Sequence, residues 1–256
     1  MVNRREFLSA GAVLFASSVQ PATLPQTGTG AERKAGRILY TNPFASERDV
    51  RGFQLEGDAA ITFPNNRLRM TSLRDPKEGQ AANFVYWCPE EFPGDIEVTW
   101  EFSPIKEPGL SILFFAATGR KDEDIFDKRL TPRTGPYDQY HHGDIDALHI
   151  SYFRRTQPAE RAFHTCNLRK SYGFYLVAQG ADPIPSVEDA QNPYKLRLVK
   201  FGGAIDFFIN DLPILHWVDD GQRYGRILGG GKIGFRQMAP LVAEYGNFVV
   251  RALEQA

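Results

Sequence analysis

Asp95-Ile96-Glu97-Val98-Thr99-Trp100-Glu101-Phe102 is the stretch on which the fold turns. Ile96, Val98, Trp100 and Phe102 fall on one side of an extended chain, and Glu97, Thr99 and Glu101 on the other. That period of two is the signature of a strand with one buried face. Trp100, flanked by Val98 and Phe102, is expected in the core rather than at a ligand. Outward from this strand the pattern repeats in short aromatic and β-branched segments separated by turn residues. Ser111 to Ala116 is almost wholly apolar, as a strand covered on both faces would be. Leu148–Phe153, Phe174–Ala178, Leu196–Lys200 and Ile205–Ile209 continue the series. Asn210-Asp211 then predicts a tight turn into Leu212–Val218. After Gly229-Gly230-Gly231 come Lys232–Gln237 and Tyr245–Ala252.

Helical periodicity is almost absent after the first residues. Many short strands with antiparallel connections imply an all-β chain, two antiparallel sheets stacked as a jelly roll or similar sandwich. Two long irregular stretches, Gly119–Gly143 and Gly180–Pro193, stand out, and loops of that length in a compact domain usually carry function.

The chain has 256 residues, 42% hydrophobic and 24% charged, so it can bury a sizeable core. A formal net charge of −1 argues against a nucleic-acid partner. Asn3-Arg4-Arg5-Glu6-Phe7-Leu8 forms a twin-arginine pattern ahead of a modest apolar body and a small-residue, Pro/Gly-containing run. Together they predict an export signal and linker over residues 1–35, and hence a periplasmic or secreted protein. The apolar body is too short and too polar to span a bilayer, so no membrane insertion is expected once the signal is removed. A single domain is expected over 36–256. The two cysteines, Cys88 and Cys166, are read as unpaired core thiols, because twin-arginine export carries proteins already folded in a reducing cytosol.

Several unbroken stretches identify a relationship. They include Phe84-Val85-Tyr86-Trp87-Cys88-Pro89-Glu90, Gly143-Asp144-Ile145-Asp146-Ala147-Leu148-His149-Ile150-Ser151-Tyr152-Phe153-Arg154-Arg155, Thr165-Cys166-Asn167-Leu168-Arg169-Lys170-Ser171 and Gly234-Phe235-Arg236-Gln237-Met238-Ala239-Pro240. Together they resemble the YesU-like family of proteins of unknown function, from about Leu39 to Val250. The resemblance implies a concanavalin A-like lectin/glucanase sandwich, and a link to pectin breakdown in some members. It brings no catalytic residues, so the site must be read from the side chains.

The densest reactive cluster runs from Tyr137 to Arg155, with Tyr140, His141, His142, Asp144, Asp146, His149, Tyr152 and Arg154 between. Alternation puts His149, Ser151, Phe153 and Arg155 on one face, and Leu148, Ile150, Tyr152 and Arg154 on the other. The apolar second face points it into the sandwich, leaving the first to line a groove. His149 or Tyr152 would then be base or acid, and Arg155, Arg154 or Arg169 would hold a uronate carboxylate. Asn167 and Arg169 share a face and suit sugar hydroxyls or a carboxylate. Of Arg236 and Gln237, one should face the groove. Tyr140 and His142 complete the candidate substrate-binding set. Exposed aromatics would pack on a pyranose, with Trp87, Trp217, Tyr137 and Tyr172 as further candidates.

The acidic residues offer other chemistry. Asp144 and Asp146, or Glu97 and Glu101, could supply the carboxylate pair of a hydrolase. Asp144 and Asp146 could equally hold calcium; no other cofactor is expected. Three functional readings follow, all with an oligosaccharide or polysaccharide ligand. They are cleavage of an acidic or rhamnose-containing oligosaccharide, hydrolysis by a carboxylate pair, and binding without catalysis.

Overall fold

In the computed structural model, residues 33–191 and 193–255 are described; the twin-arginine pattern and most of the linker lie outside them. The strands are β1 (Arg33–Asn42), β2 (Gln54–Glu56), β3 (Ala59–Thr62), β4 (Leu68–Ser72), β5 (Phe84–Trp87), β6 (Ile96–Lys106), β7 (Leu110–Gly119) and β8 (Ile145–Tyr152). They continue as β9 (Thr165–Ser171), β10 (Tyr175–Ala181), β11 (Tyr194–Phe201), β12 (Ala204–Ile209), β13 (Leu212–Val218), β14 (Lys232–Met238) and β15 (Val242–Gln255). One short helix, α1 (Pro158–Ala162), sits between β8 and β9. No helix of the described residues is long and apolar enough to cross a membrane.

Two antiparallel sheets stack face to face, as the alternation predicts. The first runs β13-β12-β11-β6-β15-β4-β3. Its long strand β15 pairs with β4 through Val242–Tyr245 and with β1 through Phe248–Gln255, while β6 lies along its other side. The second sheet runs β10-β9-β8-β7-β14-β5-β2. The buried row of β6 is Ile96, Val98, Trp100 and Phe102, and it meets Leu113, Phe115, Leu148, Ile150, Tyr152, Leu168 and Phe235 of the second sheet. Asn210 and Asp211 both take positive φ, 48° and 64°, the backbone a two-residue hairpin turn demands. Cys88 and Cys166 are buried and free.

Strand β7 is buried along nearly its whole length for two separate reasons. Leu113 and Phe115 face the inter-sheet core. Ile112 and Phe114 face the opposite way and are roofed by the 119–143 loop, which inserts Ile125 and Tyr140 into a second apolar cluster with Val85, Trp87 and Ala147. The outer face of the second sheet around β5, β7 and β14 is therefore covered by this loop. What stays open decides where a ligand can sit.

On the outer face of the first sheet, Glu97 and Glu101 are neutralised by Arg197 and Arg67 at 3.6 and 2.7 Å. That row is taken up by half-buried ion pairs with arginines of the same sheet region.

Candidate active site beside the 119–143 loop

The open part of the outer face is built by β8 and β9. Their register places His149 opposite Arg169 and Ser151 opposite Asn167. On the other side of β8, Phe114 and Ile112 of β7 stand opposite His149 and Ser151. Period-two alternation thus brings His149, Ser151, Asn167 and Arg169 onto one outward patch. A cleft of ≈ 190 Å³ lies over it, lined by Tyr137, Ser151, Arg154, Thr156, Glu160, Asn167, Arg169 and Phe174, with Ile112 and Met238 as apolar floor. That is the space of about six waters.

Alternation breaks at Phe153, whose φ of 47° turns the chain after β8. Phe153 folds into the core, Arg154 emerges on the cleft side and Arg155 goes inward. Arg155 is 1% exposed and is tied to Asp182 at 3.3 Å and to the Ile184 carbonyl at 2.6 Å. It braces the 153–156 and 182–184 segments, and its expected role at a ligand is corrected to this one. Tyr152 is corrected too. It is wholly buried between the sheets, accepts a hydrogen bond from Trp100 Nε1 at 3.1 Å, and burial pushes its phenol far above the usual range.

Gln237 faces the interior and donates to the Met70 and Leu241 carbonyls at 3.1 and 3.0 Å. Arg236 takes the outward position, yet the loop covers it completely. It donates to the Gly135 carbonyl at 2.5 Å, and its guanidinium lies 4.9 Å from the Tyr137 ring and 5.3 Å from that of Tyr140. Neither residue reaches a ligand; Arg236 positions Tyr137. Tyr140, expected at the substrate, is instead the loop's anchor, stacked beside Trp87 and Phe114. Trp87 is likewise buried and donates to Glu56 at 2.9 Å. Trp217 is half-buried against the inter-sheet core. His142 is exposed on the rim, 2.5 Å from His141 through their Nδ1 atoms.

His149 keeps its expected face but has no exposed surface. Tyr137 stands between it and the cleft, 2.6 Å from its Nε2. Burial, with Arg169, His141 and Arg236 nearby, holds the imidazole well below its ordinary pKa. Burial likewise pushes the Tyr137 phenol up to about 12. Both groups are therefore neutral near pH 7 and share one hydrogen bond between the phenol oxygen and Nε2. Direct proton abstraction by His149 is ruled out by its burial. Tyr137 is the group that meets the cleft; the sequence places it in the reactive cluster and among the candidate aromatics, but not in the catalytic set.

Arg169 sets the electrostatics. It donates one N–H to the Phe174 carbonyl at 3.0 Å, and its guanidinium lies 3.9 Å over the Phe174 ring. The ionisable groups that act on it are Tyr137 and Arg154, and burial lowers its pKa. No described carboxylate makes an ion pair with it. Arg154, by contrast, is held by Glu160 at 2.6 Å and Thr165 at 2.8 Å. The Thr156 hydroxyl, buried at the same cleft, has no protein partner. Thr156 was missed because it sits past the end of β8, where period two carries no information; Phe174, read as the start of a strand, lies in the turn just before β10.

Glu160 is the one carboxylate lining the cleft, and Arg154 engages it, so a hydrolase pair finds no second acid there. Asp144 and Asp146 do not converge. Asp144 accepts from the Thr131 amide at 2.8 Å, which lowers its pKa; Asp146 accepts from the Tyr172 amide at 3.3 Å and faces Arg226. Among the described residues no group of three or more His, Cys, Asp or Glu is placed to hold a metal, so the calcium expectation gains nothing here.

A family described as a domain of unknown function, DUF1961, matches residues 37–250. The chain belongs to this family. A Bacillus subtilis (strain 168) relative described as uncharacterized protein YesU is 55% identical over 217 residues, covering 85% of this chain and 96% of its own length. A crystal structure of a Bacillus subtilis protein of unknown function with a galectin-like fold superposes at a TM-score of 0.84 and 53% identity, covering 88% of this chain and all of that one. More distant is the kappa-carrageenase of Pseudoalteromonas carrageenovora in complex with an oligotetrasaccharide of kappa-carrageenan. It superposes at 0.54 with 10% identity, covering 93% of this chain and 100% of that one. At that identity the likeness speaks for the sandwich alone. The DUF1961 sandwich carries its outward His149–Arg169 patch on a fold shared with such proteins, while the cleft residues are argued from this chain.

Proposed function

We propose that this DUF1961 protein binds an acidic oligosaccharide in the cleft over β8 and β9, with Arg169 gripping a sugar carboxylate. One observation carries the reading. Arg169 is a partly buried guanidinium that no described carboxylate pairs with, laid over an aromatic ring in a cleft also lined by an unpartnered hydroxyl. Taking such a charge out of water costs free energy, which an anionic ligand returns. Phe174 and Tyr137 offer rings for a pyranose, while Asn167 and Ser151, buried and bonded within the sheet, line the base of the cleft. The shared architecture with a carrageenase and with the Emp47p carbohydrate recognition domain, at a TM-score of 0.53, supports a sugar ligand. The twin-arginine pattern supports export to the periplasm or beyond, where such a ligand would be met.

The Tyr137–His149 contact favours a second reading, cleavage by β-elimination. The proton α to the carboxylate is removed, its electron pair forms the new double bond, and the glycosidic oxygen leaves and is protonated. In this reading Tyr137 moves these protons, supported by its hydrogen bond to His149.

Calorimetry with oligogalacturonates, ulvan-type and neutral oligosaccharides tests binding, while ultraviolet absorbance of an unsaturated uronate tests elimination. Arg169→Gln should weaken acidic-saccharide binding by roughly 10- to 150-fold, the worth of one charged hydrogen-bonded contact. Preference for neutral sugars, or equal affinity in this variant, would refute the assignment. Tyr137→Phe should abolish any elimination and leave binding within a few fold; unchanged turnover would remove the second reading.

A further inference from the structure

The outward row of β9 does not stop at Asn167 and Arg169. Two residues on, Ser171 continues the same face and opens into a second cavity of ≈ 280 Å³. This cavity lies where the β9–β10 turn, Arg120 and the 223–226 segment meet. Its polar lining is cationic: Arg120, Lys170, Arg223 and Arg226 against the single carboxylate of Asp146.

These cations have different standing. Lys170 is buried and fully engaged by Asp219 at 2.6 Å and by the carbonyls of Gly225 and Arg226, so it holds the 223–226 segment in place. Arg226 is paired with Asp122 at 2.6 Å. Arg120 and Arg223 are exposed and make no ion pair with a described carboxylate; each lies over a tyrosine ring instead, Tyr172 at 4.1 Å and Tyr224 at 5.1 Å. Tyr175 packs on Tyr224 at 4.9 Å, so the walls are aromatic. At the floor the Ser171 hydroxyl is 1% exposed and has no hydrogen-bond partner. Two unspent guanidiniums, flat rings and an orphaned buried hydroxyl make up the donor set for an anionic sugar.

The cavity adjoins the first cleft. Asn167 and Ser171 are four residues apart on one strand, about 13 Å. The rings of His141 on Phe174 and His142 on Tyr172 form a continuous rim between them.

We propose that this cavity is a second anion-recognising subsite, and that the ligand is an acidic oligosaccharide long enough to reach from Arg169 to Arg120 and Arg223. The inference rests on the acidic-saccharide reading of the first cleft. Affinity is measured for oligogalacturonates from the dimer to the hexamer, and for sulfated oligosaccharides of matched length, with the unmodified chain, Arg120→Gln/Arg223→Gln and Arg169→Gln. Both arginines of the double variant are exposed, so its melting temperature should match the parent's. The double variant should lose about tenfold or more on the longer chains and leave the dimer unchanged, while Arg169→Gln weakens every length. The same dependence with sulfated chains alone would support the subsite and assign its anion as a sulfate. Full affinity of the double variant for long chains, with Arg169→Gln still impaired, would overturn the second subsite and leave the first reading standing. Absence of binding to every acidic chain would overturn both.

Discussion

Replacing His149 by Phe should reverse its effect on stability between neutral and acid pH. In the folded protein the imidazole is buried, with the Arg169 and Arg236 guanidiniums nearby, so its pKa lies well below 6.5. In the unfolded chain it titrates near 6.5. Below that pH the unfolded state binds one proton more than the folded state, so stability falls as pH falls, by ~1.4 kcal/mol per pH unit. Between about pH 8 and about pH 5 this single group removes at most ~2 kcal/mol, the limit set by its titration in the unfolded chain. Phe carries no such proton. Its cost is the lost hydrogen bond to Tyr137, ~0.5–1.5 kcal/mol, because the phenol borders a cleft that water can enter. Nδ1 has no partner, so nothing further is lost there. The variant should therefore be less stable than the parent near pH 8 and more stable near pH 5. Urea unfolding across that range gives the difference directly, and the carboxylates common to both chains cancel from it. Parallel stability curves would refute the account of a buried, neutral His149.

Two further outcomes follow from the buried charges and thiols. Lys170→Met strands the Asp219 carboxylate, which is 4% exposed, and should cost ~3–5 kcal/mol in chemical denaturation, with Lys170→Met/Asp219→Asn recovering part of it; a loss under ~1 kcal/mol would show the pair to be dispensable. Cys88, whose thiol burial pushes up to about 11, and Cys166 should be unreactive in the native protein, titrate as two thiols after denaturation, and leave the melting temperature indifferent to reductant; a reductant-sensitive melting temperature would mean that they pair.

Residues within a few positions of one another carry much of this protein's architecture in the sequence. The row Ile96, Val98, Trp100, Phe102, the doubly covered β7, the Asn210-Asp211 turn and the shared face of His149, Ser151, Asn167 and Arg169 all follow from period two and turn chemistry. These are local properties of an extended backbone. The same logic failed for β1, whose register against β15 shifts twice, and for β2, only three residues long, since neither sustains an alternating run. It failed again at Phe153, where one positive φ exchanged the destinations of Arg154 and Arg155. Tertiary structure alone decided which outward residues stay open. Arg236 holds the Gly135 carbonyl across 101 positions, and Arg155 meets Asp182 across 27. Contacts at such separations hold the loop that carries Tyr140 over the outer face, and leave Arg169 lining the cleft without an ion pair among the described residues. A strand's pattern says which way a side chain points; whether water or a distant loop waits there depends on how the rest of the chain packs.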